Sequence, residues 1–150
     1  HGDARRALDL LRVAAELAER EGKEKLLVEY IDKANNKIDR DKMLDIIRSE
    51  PKQFQLVLYA IMDLDEDNDF DKMFTGDIYN KYREVCQQTK NEVLTQRRIS
   101  DVIADFDMLG LINARVISKG RQGRTREIKL MMPPGIKQKA REILNNSFLI

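Results

Sequence analysis

Lys119-Gly120-Arg121-Gln122-Gly123-Arg124-Thr125-Arg126 is the stretch on which the fold turns. Two glycines let the backbone reverse tightly. Four cationic side chains surround them, and three are arginines, whose planar forks suit phosphate. On one side Ile112, Ala114 and Val116 alternate with Asn113 and Arg115. On the other, Ile128 and Leu130 alternate with Glu127 and Lys129. Period-two alternation on both flanks of a glycine-bearing turn predicts a β-hairpin with a basic tip.

Working upstream, Gly110 ends a predicted helix that Thr95 caps, with Ile99, Val102, Ile103, Phe106 and Leu109 inward. An earlier helix is capped by Thr75 and turns Ile78, Tyr82, Val85 and Cys86 inward. Before it, Ser49-Glu50-Pro51 marks a boundary, because proline fits the first turn of a new helix. That helix carries Phe54, Val57, Leu58, Ile61 and Leu64. Downstream, Pro133-Pro134-Gly135 ends the sheet, and a last helix carries Ile136, Ala140, Ile143 and Leu144. Helix, helix, helix, hairpin, helix over residues 51–150 is the order of a winged helix with a closing helix.

Residues 1–50 read as three short helices. The first follows a cap at Asp3, carries an inward stripe of Leu8, Leu11, Ala15 and Ala18 widened by Leu10 and Leu17, and closes at Gly22. The second carries Leu26, Leu27, Tyr30, Ile31 and Ala34, and the third Met43, Leu44, Ile46 and Ile47. The expected fold class is therefore mainly α: a small helical bundle over 1–50 and a winged helix over 51–150. The chain opens abruptly at His1-Gly2-Asp3, and it is read as a fragment of something longer.

The charge distribution fits a nucleic-acid partner. A net charge of +1 conceals a net +6 over residues 94–150. The helix from Thr95 stands in the recognition position, and such helices meet base edges with their N-terminal residues. Thr95, Gln96, Arg97, Arg98 and Ser100 supply that polar start. Gln96 and Arg97 are the candidates for base contact, since Gln matches adenine and Arg matches guanine in the major groove. Arg97 also stands four residues from Asp101, where an ion pair within the helix would occupy it instead. Lys119, Arg121, Gln122, Arg124 and Arg126 of the hairpin, with Arg115 and Lys129 on its strands, are candidates for phosphate or minor-groove contact.

Other chemistries find little support. Asp65, Asp67 and Asp69 have the spacing of a calcium loop, but Phe70 stands where that loop needs glycine and Gly76 where it needs glutamate. No metal site is expected. Cys86 is the single cysteine and sits on an apolar stripe, so a packed thiol is expected. His1 is the only histidine, and no Walker-type phosphate loop is present. No apolar run approaches the ~20 residues that span a bilayer. The expectation is a cytoplasmic, nucleoid-associated chain without catalytic machinery.

Gly2-Asp3-Ala4-Arg5-Arg6-Ala7-Leu8-Asp9-Leu10-Leu11-Arg12 resembles the second-sensor motif of AAA+ ATPases, in particular the archaeal replication initiators of the origin-recognition and cell-division-control family. Thr75-Gly76-Asp77-Ile78-Tyr79 with Cys86, the run from Ile99-Ser100-Asp101 to Leu109-Gly110-Leu111-Ile112, and Gly120-Arg121 with Gly123-Arg124-Thr125 resemble that family's winged helix in the same order. The resemblance implies that 1–50 is most of an AAA+ lid and that 51–150 binds double-stranded origin DNA. It implies that Arg5 faces nucleotide phosphates in an intact parent using ATP or ADP with magnesium, while this chain holds no cofactor. It also brings the replicative helicase and other initiator paralogues into view as partners. Two rival readings are a winged-helix transcription regulator with a helical dimerisation arm, and a winged helix that contacts replication proteins and not DNA.

Overall fold

In the computed structural model, residues 2–21, 27–67, 72–118 and 120–148 are described. The chain forms two compact units, His1–Ile46 and Ile47–Ile150.

The first unit pairs α1 (Gly2–Glu21) with α2 (Leu27–Ser49), which runs on into the second unit. The two helices expected over residues 26–47 are thus one. Asn35-Asn36 interrupts the apolar pattern there, yet no proline or glycine lies between Leu27 and Ser49 to stop the helix. Asn35 makes an interhelical contact, accepting from Arg6. Nor does α1 use the expected stripe. Val13 and Ala14 are buried against Tyr30 and Ala34, with Leu10 and Leu17 partly buried. Leu8 and Leu11 remain 68% and 53% exposed. Both sets recur at helical spacing, so periodicity alone does not choose between them. Helix α1 already includes Gly2, placing Asp3 in its first turn; the side chains of Asp3 and Ala18, and all of Gly22 and Leu26, lie outside the described residues.

The second unit is built around α3 (Lys52–Glu66), which touches α4 (Thr75–Thr89), α5 (Gln96–Met108), α6 (Pro134–Phe148) and the sheet. Every residue from Gln55 to Met62 is buried, so α3 is a core helix enclosed on all sides. Its last turn reaches Glu66, so Asp65, the first aspartate of the calcium-like spacing, lies on the helix. The reason lies on α6. Lys137 holds Asp65 at 2.7 Å. Arg141 pairs with Asp63, and with Glu66 at 3.3 Å, while stacking on the Tyr59 ring at 4.5 Å. Asp65 is therefore engaged in joining two helices; Asp69 and Phe70 lie outside the described residues.

Strands β1 (Met73–Phe74), β2 (Ile112–Ser118) and β3 (Arg124–Leu130) form an antiparallel sheet in the order β1-β3-β2. Two strands were expected from sequence. β1 is only two residues long, too short for alternation to announce it, and it pairs Met73 with Ile128 and Phe74 with Glu127. Phe74, not Thr75, is the cap of α4, and its N–H is met by the Asp77 carboxylate at 3.0 Å. Cys86 is buried in the core.

Candidate nucleic-acid interface

Helix α5 starts as expected at Thr95, whose Oγ1 accepts from the backbone N–H of Arg98 at 3.3 Å. The short turn before it is held by three side chains, of which sequence reasoning placed Tyr82 in the core without giving its hydroxyl a role. The Leu94 N–H donates to the Tyr82 hydroxyl and its carbonyl accepts from Tyr79, both at 3.0 Å. Tyr82 in turn donates to Gln53, whose amide donates to the Glu92 carbonyl at 3.0 Å. Burial pushes the Tyr82 phenol far above its ordinary range, so the hydroxyl keeps its proton. Lys90 closes α4 in the left-handed region at φ 56°, with the Asn91 N–H bonded back to the Cys86 carbonyl at 2.8 Å. Tyr82, on the inward face of α4, was the available signal, since a buried hydroxyl needs a partner.

With the turn fixed, Thr95, Gln96, Arg97 and Arg98 are exposed and Ser100 is half-buried. Ile99, Val102, Ile103 and Phe106 anchor the opposite face, with Phe106 meeting Phe54 edge-on. Among the described residues, neither Arg97 nor Arg98 forms an ion pair. The intrahelical Arg97–Asp101 pair that the spacing allows is not made.

After Met108 the chain reverses through Gly110 at φ 77°, with the Leu111 N–H bonded to the Phe106 carbonyl. Asp107 then accepts from the Ala114 N–H at 3.0 Å, tying β2 to the last turn of α5. The hairpin pairs from Ile112↔Leu130 out to Ser118↔Arg124. Its loop includes a single 3-10 turn, Gly120–Gln122, and Gly120 and Gly123 both take positive φ, at 60° and 88°.

This register divides the cations between two faces. Arg124 and Arg126 share a face with Ile128 and Leu130, which pack into the core. Arg115 lies on the other face directly opposite Glu127, 3.7 Å away, and Lys72 approaches the same carboxylate at 3.9 Å. Arg121 and Arg124 are exposed and Arg126 is half-buried; none of the three pairs with a described carboxylate. Lys119 and the side chain of Gln122 lie outside the described residues.

In the first unit, adjacent arginines on α1 differ in kind. Arg6 donates to Asn35 and to Asp39, the latter at 2.8 Å, whereas Arg5 is exposed. Among the described residues no three His, Cys, Asp or Glu side chains cluster to hold a metal, and no helix is long and apolar enough to cross a membrane.

A helix-turn-helix ending in a basic β-hairpin, preceded by a helical pair, defines a winged-helix protein with an N-terminal helical appendage. Residues 45–140 match the family described as CDC6, C-terminal winged helix domain, and residues 1–36 match the Cdc6 AAA+ ATPase-type lid domain. The chain belongs to the Cdc6 winged-helix family. It is 54% identical over 134 residues to an ORC1-type DNA replication protein of Pyrococcus abyssi, covering 89% of this chain and 32% of the relative. It is 51% identical over 133 residues to ORC1-type DNA replication protein 7 of Halobacterium salinarum, covering 89% and 26%. Among solved structures it resembles the Aeropyrum pernix ORC1 protein in complex with DNA, with TM-score 0.81 and 40% identity over 99% of this chain and 38% of that one. The chain thus spans about a third or less of the length of these curated relatives.

Proposed function

We propose that this chain binds double-stranded DNA at replication origins, as the lid and winged-helix part of a replication initiator, with the lid over residues 1–50 and the winged helix over 51–150. The observation that carries this reading is the set of exposed or half-buried arginines at the start of α5 and on the hairpin, left without described carboxylate partners. Similarity to an ORC1 protein solved with DNA supports it. Gln96 and Arg97 meet base edges in the major groove, with Thr95, Arg98 and Ser100 beside them on the DNA backbone. Lys119, Arg121, Gln122, Arg124 and Arg126 follow phosphates into the minor groove. Arg115 acts more weakly, because Glu127 offsets its charge. The match of residues 1–36 to an AAA+ lid favours this reading over a stand-alone transcription regulator.

Arg5 is the nucleotide-facing arginine of the longer protein; its exposure, beside an Arg6 engaged by α2, suits a group held ready for phosphate. A single guanidinium does not make a nucleotide pocket, and these 150 residues carry no glycine-rich phosphate loop. ATP therefore does not fit the residues present, and no hydrolytic step belongs to this chain. The replicative helicase and paralogous initiators are its proposed protein partners, in the nucleoid.

Anisotropy titrations of origin-like and random duplexes across a salt series test the DNA reading. If about four cations reach phosphates, log K falls against log salt with a slope of roughly −3.6. Gln96→Ala or Arg97→Ala should cost roughly 1–3 kcal/mol at the preferred duplex and far less on random DNA. A flat salt response would falsify the reading.

A further inference from the structure

On the core-facing side of the hairpin, β3 and β2 change character at different points. Along β3 the buried Leu130 and Ile128 give way to Arg126 and then Arg124. Along β2 the buried Ile112 is followed by the half-buried Ala114, and then the strand stays apolar: Val116 is directly opposite Arg126 and is 62% exposed. Val116 stands beyond the buried Ile112 and half-buried Ala114, so packing against the described residues does not account for a β-branched aliphatic there. The other face of the same strands carries Arg115 and Glu127, and Lys72, just before β1, approaches the same carboxylate. Val116 is thus an apolar point on the face whose arginines are unpaired among the described residues.

We propose that Val116 is itself a DNA-contacting residue, an apolar wedge that Arg124 and Arg126 carry against the sugars and floor of the minor groove. This rests on the DNA reading above and adds a contact that cations do not make. Two arginines draw the hairpin between phosphate walls, and between those walls the groove presents deoxyribose and base edges. An aliphatic side chain gains there by shedding water, as apolar wedges of minor-groove proteins do. The 2-amino group of guanine projects from that floor and would be desolvated by the valine without a partner. The wedge therefore favours base pairs lacking that group.

The full 150-residue chain is titrated with two duplexes of identical sequence apart from inosine in place of guanine, a change that removes the minor-groove amino group and leaves the major-groove edge intact. Val116→Thr keeps the shape and strand preference of valine at an exposed position. It should bind roughly fivefold more weakly than the parent on the inosine duplex, with an unchanged salt slope because no phosphate contact is lost. Val116→Ile should stay within about twofold of the parent. The parent should prefer the inosine duplex and the threonine variant should lose that preference. Equal binding by parent and Val116→Thr, a shallower salt slope in the variant, or a parent indifferent to inosine would each overturn the wedge. A parent that binds neither duplex overturns the DNA reading itself, whereas a parent with a steep salt slope and an unaffected Val116→Thr overturns the wedge alone.

Discussion

The Tyr82 hydroxyl on α4 receives the backbone N–H of Leu94, one residue before the cap of α5, at 3.0 Å. One buried phenol thereby links the turn of the helix-turn-helix to Gln53 on α3. Tyr82→Phe keeps the ring and its packing but leaves the Gln53 oxygen and the Leu94 N–H short of a partner. Denaturant unfolding should show a loss of about 1–3 kcal/mol, and duplex binding should weaken as the start of α5 loosens. A variant as stable as the parent would mean that water replaces the phenol without penalty.

The two faces of the hairpin separate its arginines by experiment. Arg124→Ala should weaken binding to any duplex and make the salt slope shallower by about 0.9, the share of one phosphate. Arg115→Ala should change the slope by much less, because Glu127 already offsets that charge. Equal slope changes for the two variants would mean that the strand register does not govern which cation meets DNA.

Adjacent arginines on α1 should behave oppositely. Arg6→Ala removes the donor to Asn35 and Asp39 and should lower the stability of the helical pair by about 1 kcal/mol, read as a shifted melting curve. Arg5→Ala should leave both the melting curve and duplex affinity of this chain where they are. On the proposed reading, its effect appears only as nucleotide response in the intact initiator. Loss of stability on replacing Arg5 would assign it a structural role.

Glu50 adds a pH-dependent element. Burial, and then the nearby Asp105 carboxylate, raise its pKa above the ordinary carboxylate value. The sign follows from linkage. Below the unfolded pKa the group is protonated in both states and costs nothing. As pH rises through the folded pKa, the native state must carry a disfavoured charge and stability falls. Glu50→Gln should therefore raise the melting temperature at neutral pH, and that gain should vanish at about pH 4. A gain of equal size at both pH values would exclude the carboxylate charge as its cause.

Much of the winged helix is legible in the chain because its signals are local. Glycine at 110, 120 and 123 marks positions where the backbone takes positive φ, Thr95 marks a cap, and alternation from Ile112 and toward Leu130 marks a hairpin. The basic tip and the polar start of α5 are equally local, so the candidate residues can be named from order and spacing. Tertiary structure decided what local signals leave degenerate. Two apolar stripes on α1 satisfy the same helical period, and only contact with α2 selects Val13 and Ala14 over Leu8 and Leu11. A two-residue strand has no period of its own, and only pairing with β3 makes Met73–Phe74 a strand. The hairpin's arginines look equivalent in sequence. Cross-strand register places Arg115 against Glu127 and leaves Arg124 and Arg126 on the core-facing side, because alternate residues of a pleated strand point to opposite faces.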